Sequence, residues 1–118
     1  MKENIIQKKS FNFALRIINL YKYLIENKKE FILSKQLLRS GTSIGANIEE
    51  AIGGQSRKDF VSKFSIAYKE SRETLYWIKL LKESNYLNQN QSSSLINDCE
   101  ELVKIITKIQ KSLKTKNS

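Results

Sequence analysis

The chain has 118 residues, the size of one domain, with no proline and four glycines. This composition suits long helices and leaves too few turn signals for a sandwich or barrel. With no histidine, one cysteine and a net charge of +9, it excludes an internal disulfide, a histidine or multi-cysteine metal centre and histidine acid–base chemistry. No run approaches the roughly 20 apolar residues of a membrane span.

The spacing predicts four helices, over residues 4–27, 34–53, 57–84 and 89–113, in a single domain spanning 1–118. In the first, Ala14, Ile17, Ile18, Tyr21, Leu24 and Ile25 fall on one stripe. The stretch from Met1 to Lys9 lacks the apolar core and cleavage site of a signal peptide, so a reduced, cytoplasmic protein with no membrane partner is expected. The second helix opens on Ser34 as N-cap and stops at Gly53-Gly54, with a stripe of Leu37, Gly41, Ile44, Ile48 and Ala51. Ser56-Arg57-Lys58-Asp59 reads as a capping box for the third. Its seam is Phe60, Phe64, Ala67, Ser71, Thr74, Ile78 and Leu81. Asn88 and Gln91 form a second box before the fourth helix, whose stripe is Leu95, Cys99, Leu102, Ile106, Ile109 and Leu113. Cys99 is expected as a small buried residue, and Lys114 to Ser118 as a fraying end. Four amphipathic helices with short connections predict an all-α, antiparallel up-down four-helix bundle.

The faces opposite these stripes carry more information. Arg39, Ser43, Asn47 and Glu50 lie together on the far side of the second helix. On the third, Ile66, Glu73 and Leu80 recur at heptad spacing with Tyr76 nearby. A second apolar face implies a second buried contact and hence self-association; scattered exposed apolar residues are the plainer account. Lys104, Lys108 and Lys111 lie opposite the core stripe of the fourth helix, whose early turns carry Asp98, Glu100 and Glu101. Acids first and lysines last complement the helix dipole. The same lysines form a ridge able to contact phosphates. Lysine outnumbers arginine 17 to 4, and isoleucine and asparagine are abundant, as AT-rich coding produces. Part of the charge is therefore compositional, yet +9 on a small domain favours polyanionic partners.

Catalytic chemistry finds little support. The pairs Glu49-Glu50, Glu70/Glu73 and Glu100-Glu101 lack the Glu-x-x-His motifs of a di-iron bundle. Glu70 and Glu73 are expected to pair locally with Lys69 and Arg72. Gly41-x-x-x-Gly45 sits inside a helical pattern without the Gly-Lys-Ser/Thr ending of a phosphate loop, so close helix packing is preferred. Ser40 and Ser43 have no base. Tyr68, Tyr76 and Trp77 are read as packing residues before base-stacking ones. No catalytic residue, cofactor or metal site is expected, and the chain reads as non-enzymatic.

The run from Leu38 through Arg39, Ser43, Ile44, Asn47, Ile48 and Glu50 to Ala51 resembles the LRxxxSIxxNIxE signature of the bacterial 23S rRNA-intervening-sequence proteins. Ser65 to Thr74 resembles their second block, and Phe13-Ala14-Leu15-Arg16 and Asn85-Tyr86-Leu87 fall where the family has similar residues. The resemblance spans nearly the whole chain; Ala51 departs from the glycine usual after the signature glutamate. It implies a left-handed up-down bundle that assembles as a homopentameric ring. The family is similar to the accessory variability protein of diversity-generating retroelements, a basic pentameric barrel that binds nucleic acid and a reverse transcriptase. Its older ribosomal label reflects gene location. Arg39, Ser43, Asn47, Glu50 and Glu73 match the motif and are expected to form a polar network joining the second and third helices, within a protomer or across an interface. The expected function is an oligomeric adaptor associated with nucleic acid, RNA especially. The alternative is a protein-interaction scaffold using Ile66, Tyr76 and Leu80 or the basic surface.

Overall fold

Apolar residues spaced alternately three and four apart produce four helices: α1 (Lys2–Asn27), α2 (Leu33–Ile52), α3 (Arg57–Glu83) and α4 (Gln89–Asn117). They are seen in a computed structural model that describes residues 2–117, with side chains for 5–114. Among the described residues there is no strand, and the molecule is a rod of 48 × 22 × 21 Å. It is an all-α four-helix bundle in which each helix packs on its neighbours in sequence and α1 also meets α4. Residue numbers run in opposite senses across these pairs. Gln7 lies against Glu49 and Ile17 against Gly41, while Ser40 meets Thr74 and Lys63 meets Glu50.

The core runs along the rod. α2 buries Leu37, Gly41, Ile44, Ile48 and Ala51, and α3 buries Phe64, Ala67, Ser71, Thr74, Ile78 and Leu81. α4 adds Leu95, Cys99, Leu102 and Ile106, with Ile109 and Leu113 half-buried. The seam of α1 differs from the expected stripe. It is Ile6, Ser10, Phe13, Ile17, Leu20 and Leu24, while Ala14, Ile18, Tyr21 and Ile25 flank it. α1 is apolar around much of its circumference, so two stripes satisfy the helical period. Packing against Gly41 and Gly45 selects the one containing Ser10 and Ile17.

The helix ends explain the boundaries. α2 starts at Leu33 with Ile32 as its N-cap and no side-chain cap from that residue, so Ser34 does not cap it. Glu30 does so from upstream. Its Oε2 accepts from the amides of Ile32 (3.2 Å) and Leu33 (3.0 Å), and its Oε1 from Ser34 (2.7 Å). Ser34 instead donates its hydroxyl to the Glu30 carbonyl at 2.7 Å. Ser56 accepts from the Asp59 amide at 3.0 Å. Asn88 and Gln91 cap reciprocally, at 3.0 and 2.8 Å. α3 ends in a Schellman motif. Asn85 takes φ 70°, Tyr86 N donates to Leu81 O at 2.9 Å, and Asn85 N donates to Lys82 O at 3.0 Å. α4 continues through Lys114 to Asn117 where fraying was expected; Ser118 lies outside the described residues.

Candidate functional site

Arg39 projects from α2 toward α3 and pairs with two carboxylates one turn apart. Its Nη1 lies 3.2 Å from Glu70 Oε1, and its Nη2 bonds Glu73 Oε2. Trp77 donates its indole N–H to that same Glu73 oxygen at 2.9 Å, and Tyr76 meets Trp77 edge-on with ring centroids 5.1 Å apart. These contacts are all made inside this single chain. The expected local pairing of Glu70 and Glu73 with Lys69 and Arg72 is replaced by this cross-helix one. The arginine side chain is 48% exposed, so the pairing sits at the surface. Ser43 and Asn47 do not join it. Ser43 donates to Arg39 O (2.6 Å) and Asn47 to Ser43 O (2.8 Å), both within α2. Glu50 is held apart by Lys63 at 2.8 Å, a bond that raises the lysine pKa.

Ile66 and Tyr76 are exposed on α3, at 38% and 58%, and Leu80 is half-buried beside them. Lys104, Lys108 and Lys111 are exposed on α4. The acids of α4 that face α1 are already engaged. Asp98 pairs with Arg16 at 2.6 Å and Glu101 with Lys9 at 3.3 Å. Lys108 also stands at the rim of an open groove of about 980 Å³. That groove is floored by Ile5, Ile52, Phe60, Ile109 and Leu113, with Arg57 donating to Leu113 O at 2.8 Å. Periodicity assigned Phe60, Ile109 and Leu113 to core stripes and left Ile5 and Ile52 unassigned; the structure leaves all five open at this end of the bundle.

Two further groups are structural. Burial pushes the Cys99 thiol up to about 12, and its sulfur donates to Ser71 O at 3.4 Å, so it is no nucleophile. Ser40 receives a 2.9 Å hydrogen bond from Thr74 inside the α2–α3 seam. Among the described residues, no group of His, Cys, Asp or Glu side chains could hold a metal ion, and no helix is long and apolar enough to cross a membrane.

The family model described as 23S rRNA-intervening sequence protein matches residues 2–108. Among solved structures, the chain is similar to a protein of unknown function from the S23 ribosomal protein family of Bacteroides thetaiotaomicron VPI-5482. The two share 52% identity over 94% of this chain and 99% of that one, with a TM-score of 0.92. The search of curated proteins gave no match.

Proposed function

The chain belongs to the 23S rRNA-intervening sequence protein family, and from that premise we propose that it is a non-enzymatic, cytoplasmic adaptor that associates with RNA. The observation carrying this reading is the Lys104, Lys108 and Lys111 ridge. The three lysines lie on the exposed side of α4, the α4 acids that face α1 are held by Arg16 and Lys9, and the whole chain carries +9. The proposal includes a single domain, the left-handed up-down arrangement and a homopentamer. A ring would repeat the ridge and add weak contacts by avidity. Filter binding of a structured RNA across a salt series tests it. Binding should weaken steeply as salt rises, with little sequence preference, and absence of binding at low salt overturns it.

A protein-scaffold reading is favoured by one observation, the exposure of Tyr76 and Ile66 beside the Arg39 cluster. Capture of a partner from nuclease-treated lysate, lost in Tyr76→Ala, supports that reading over RNA.

A further inference from the structure

The turn between α1 and α2 sets exposed apolar side chains among exposed lysines. Phe31 is 54% exposed and Ile32 75% exposed, the largest exposure of any large hydrophobic residue here. Lys28 and Lys29 precede them and Lys35 follows, all exposed. None of the three takes part in an ion pair among the described residues. Of the two carboxylates in this stretch, Glu30 is turned inward onto the α2 amides, which leaves Glu26 against three lysines.

The turn is ordered by its backbone. Lys29 adopts φ 55°, Glu30 N donates to Leu24 O at 3.0 Å, and the Glu30 carboxylate fixes the next three amides. The Phe31 ring therefore stands on a fixed platform, and little freedom is lost when something packs on it.

We propose that this turn is a docking point for single-stranded RNA, with a base stacked on Phe31 against Ile32 and the flanking phosphates held by Lys28, Lys29 and Lys35. The inference rests on the RNA reading above and adds a second contact, at the opposite end of the bundle from Lys108 and Lys111. The chemistry selects this occupant. A nucleotide offers one π face and one phosphate, which matches one ring among lysines. Two apolar side chains are too few for the core of a protein interface, which takes about 20–30 residues a side. Stable membrane anchoring needs a stronger pair of signals than this turn supplies. The α2 N-terminus itself is closed to phosphate because Glu30 already occupies its amides.

Fluorescence anisotropy with a labelled oligouridine 20-mer tests the proposal, beside a blunt RNA duplex and phosphatidylserine vesicles. Phe31→Ala should weaken oligouridine binding about tenfold, within the range of one base–aromatic stack, and leave the duplex unchanged. Phe31→Trp should retain affinity, with indole fluorescence quenched on binding. Lys28→Glu with Lys29→Glu should flatten the salt dependence. Circular dichroism melts check that each variant folds; since the ring is exposed, they should match wild type. If wild type binds RNA and Phe31→Ala and Phe31→Trp both bind oligouridine as wild type does, the proposal falls and the RNA reading stands. If wild type binds no RNA, both fall. Vesicle binding that depends on Phe31 while oligouridine binding does not reassigns the turn to a lipid surface and overturns the proposal.

Discussion

The Arg39 guanidinium of α2 bonds the Glu73 carboxylate of α3, and the same carboxylate oxygen accepts the Trp77 indole N–H. One arginine thus orders two α3 side chains and bridges to a third, Glu70. The arginine is half exposed, so its contribution to stability should be small, about 0.2–1 kcal/mol. Arg39→Ala should leave helicity intact and lower the urea midpoint only slightly. In sedimentation the variant should show a weaker assembly if the ordered Glu73–Trp77 surface supports contact between copies. An unchanged oligomer removes that role from Arg39.

Glu30 makes stability depend on pH. Burial raises its pKa, but the amides of Leu33, Ser34 and Ile32 together outweigh burial and hold it below the ordinary 4.5. The folded carboxyl therefore binds a proton less readily than the unfolded one. Its contribution is present above about pH 4.5 and is lost as pH falls through the lower folded value. Glu30→Ala should cost about 1–2 kcal/mol at neutral pH, the size of a lost helix cap. Urea titrations at pH 7 and pH 3 should show a smaller difference between the two pH values in Glu30→Gln than in wild type.

Gly41 and Gly45 should respond differently to alanine. A Cβ at Gly41 would stand 2.8 Å from both Ile17 Cγ1 and Cγ2, inside the buried α1–α2 contact. At Gly45 the nearest atom is Ser10 Oγ at 3.3 Å. Gly41→Ala should destabilise by about 1–3 kcal/mol through overpacking. Gly45→Ala should fall within about 1 kcal/mol of wild type, because the gain in helix propensity offsets the tight contact. Thermal melts of the two variants side by side check the contrast.

Cys99 should resist modification. It is fully buried, with its thiol at about 12, against roughly 8.5 for a free cysteine. Iodoacetamide at pH 8 should react only through opening of the bundle, so the rate should climb with added urea well below the unfolding midpoint. Rapid labelling in native buffer contradicts this placement.

The α2, α3 and α4 seams were legible because each carries one unbroken 3–4 repeat, even on α3 where Ile66 and Tyr76 add exposed apolar residues on another face. α1 was harder: Phe11, Leu15 and Ile18 line its outer side, and the seam includes Ser10, whose polarity hid the register. The α2 cap was missed because Glu30 acts from outside the helix, where the usual Ser, Thr, Asp and Asn preference gives no signal. Arg39 and Glu73 were legible through the motif. Glu70 was not, since Lys69 and Arg72 offered it nearer partners, and only the α2–α3 register brings Arg39 to it. Phe31 and Ile32 carried no periodic signal, because they lie in the turn between two helices.

α4 has 29 residues and α2 has 20, about 43 Å against 30 Å at 1.5 Å per residue. Past Ile106 the longer helix borders the groove and keeps fewer neighbours. Amide protons from Leu95 to Ile106 should exchange slowly and those beyond Ile109 much faster, a gradient along one continuous helix. Lys104 sits on the slow part and Lys111 on the fast part. The basic ridge therefore has one fixed end and one pliable end. Its outer turns can re-form around a bound surface while the four-helix core stays closed.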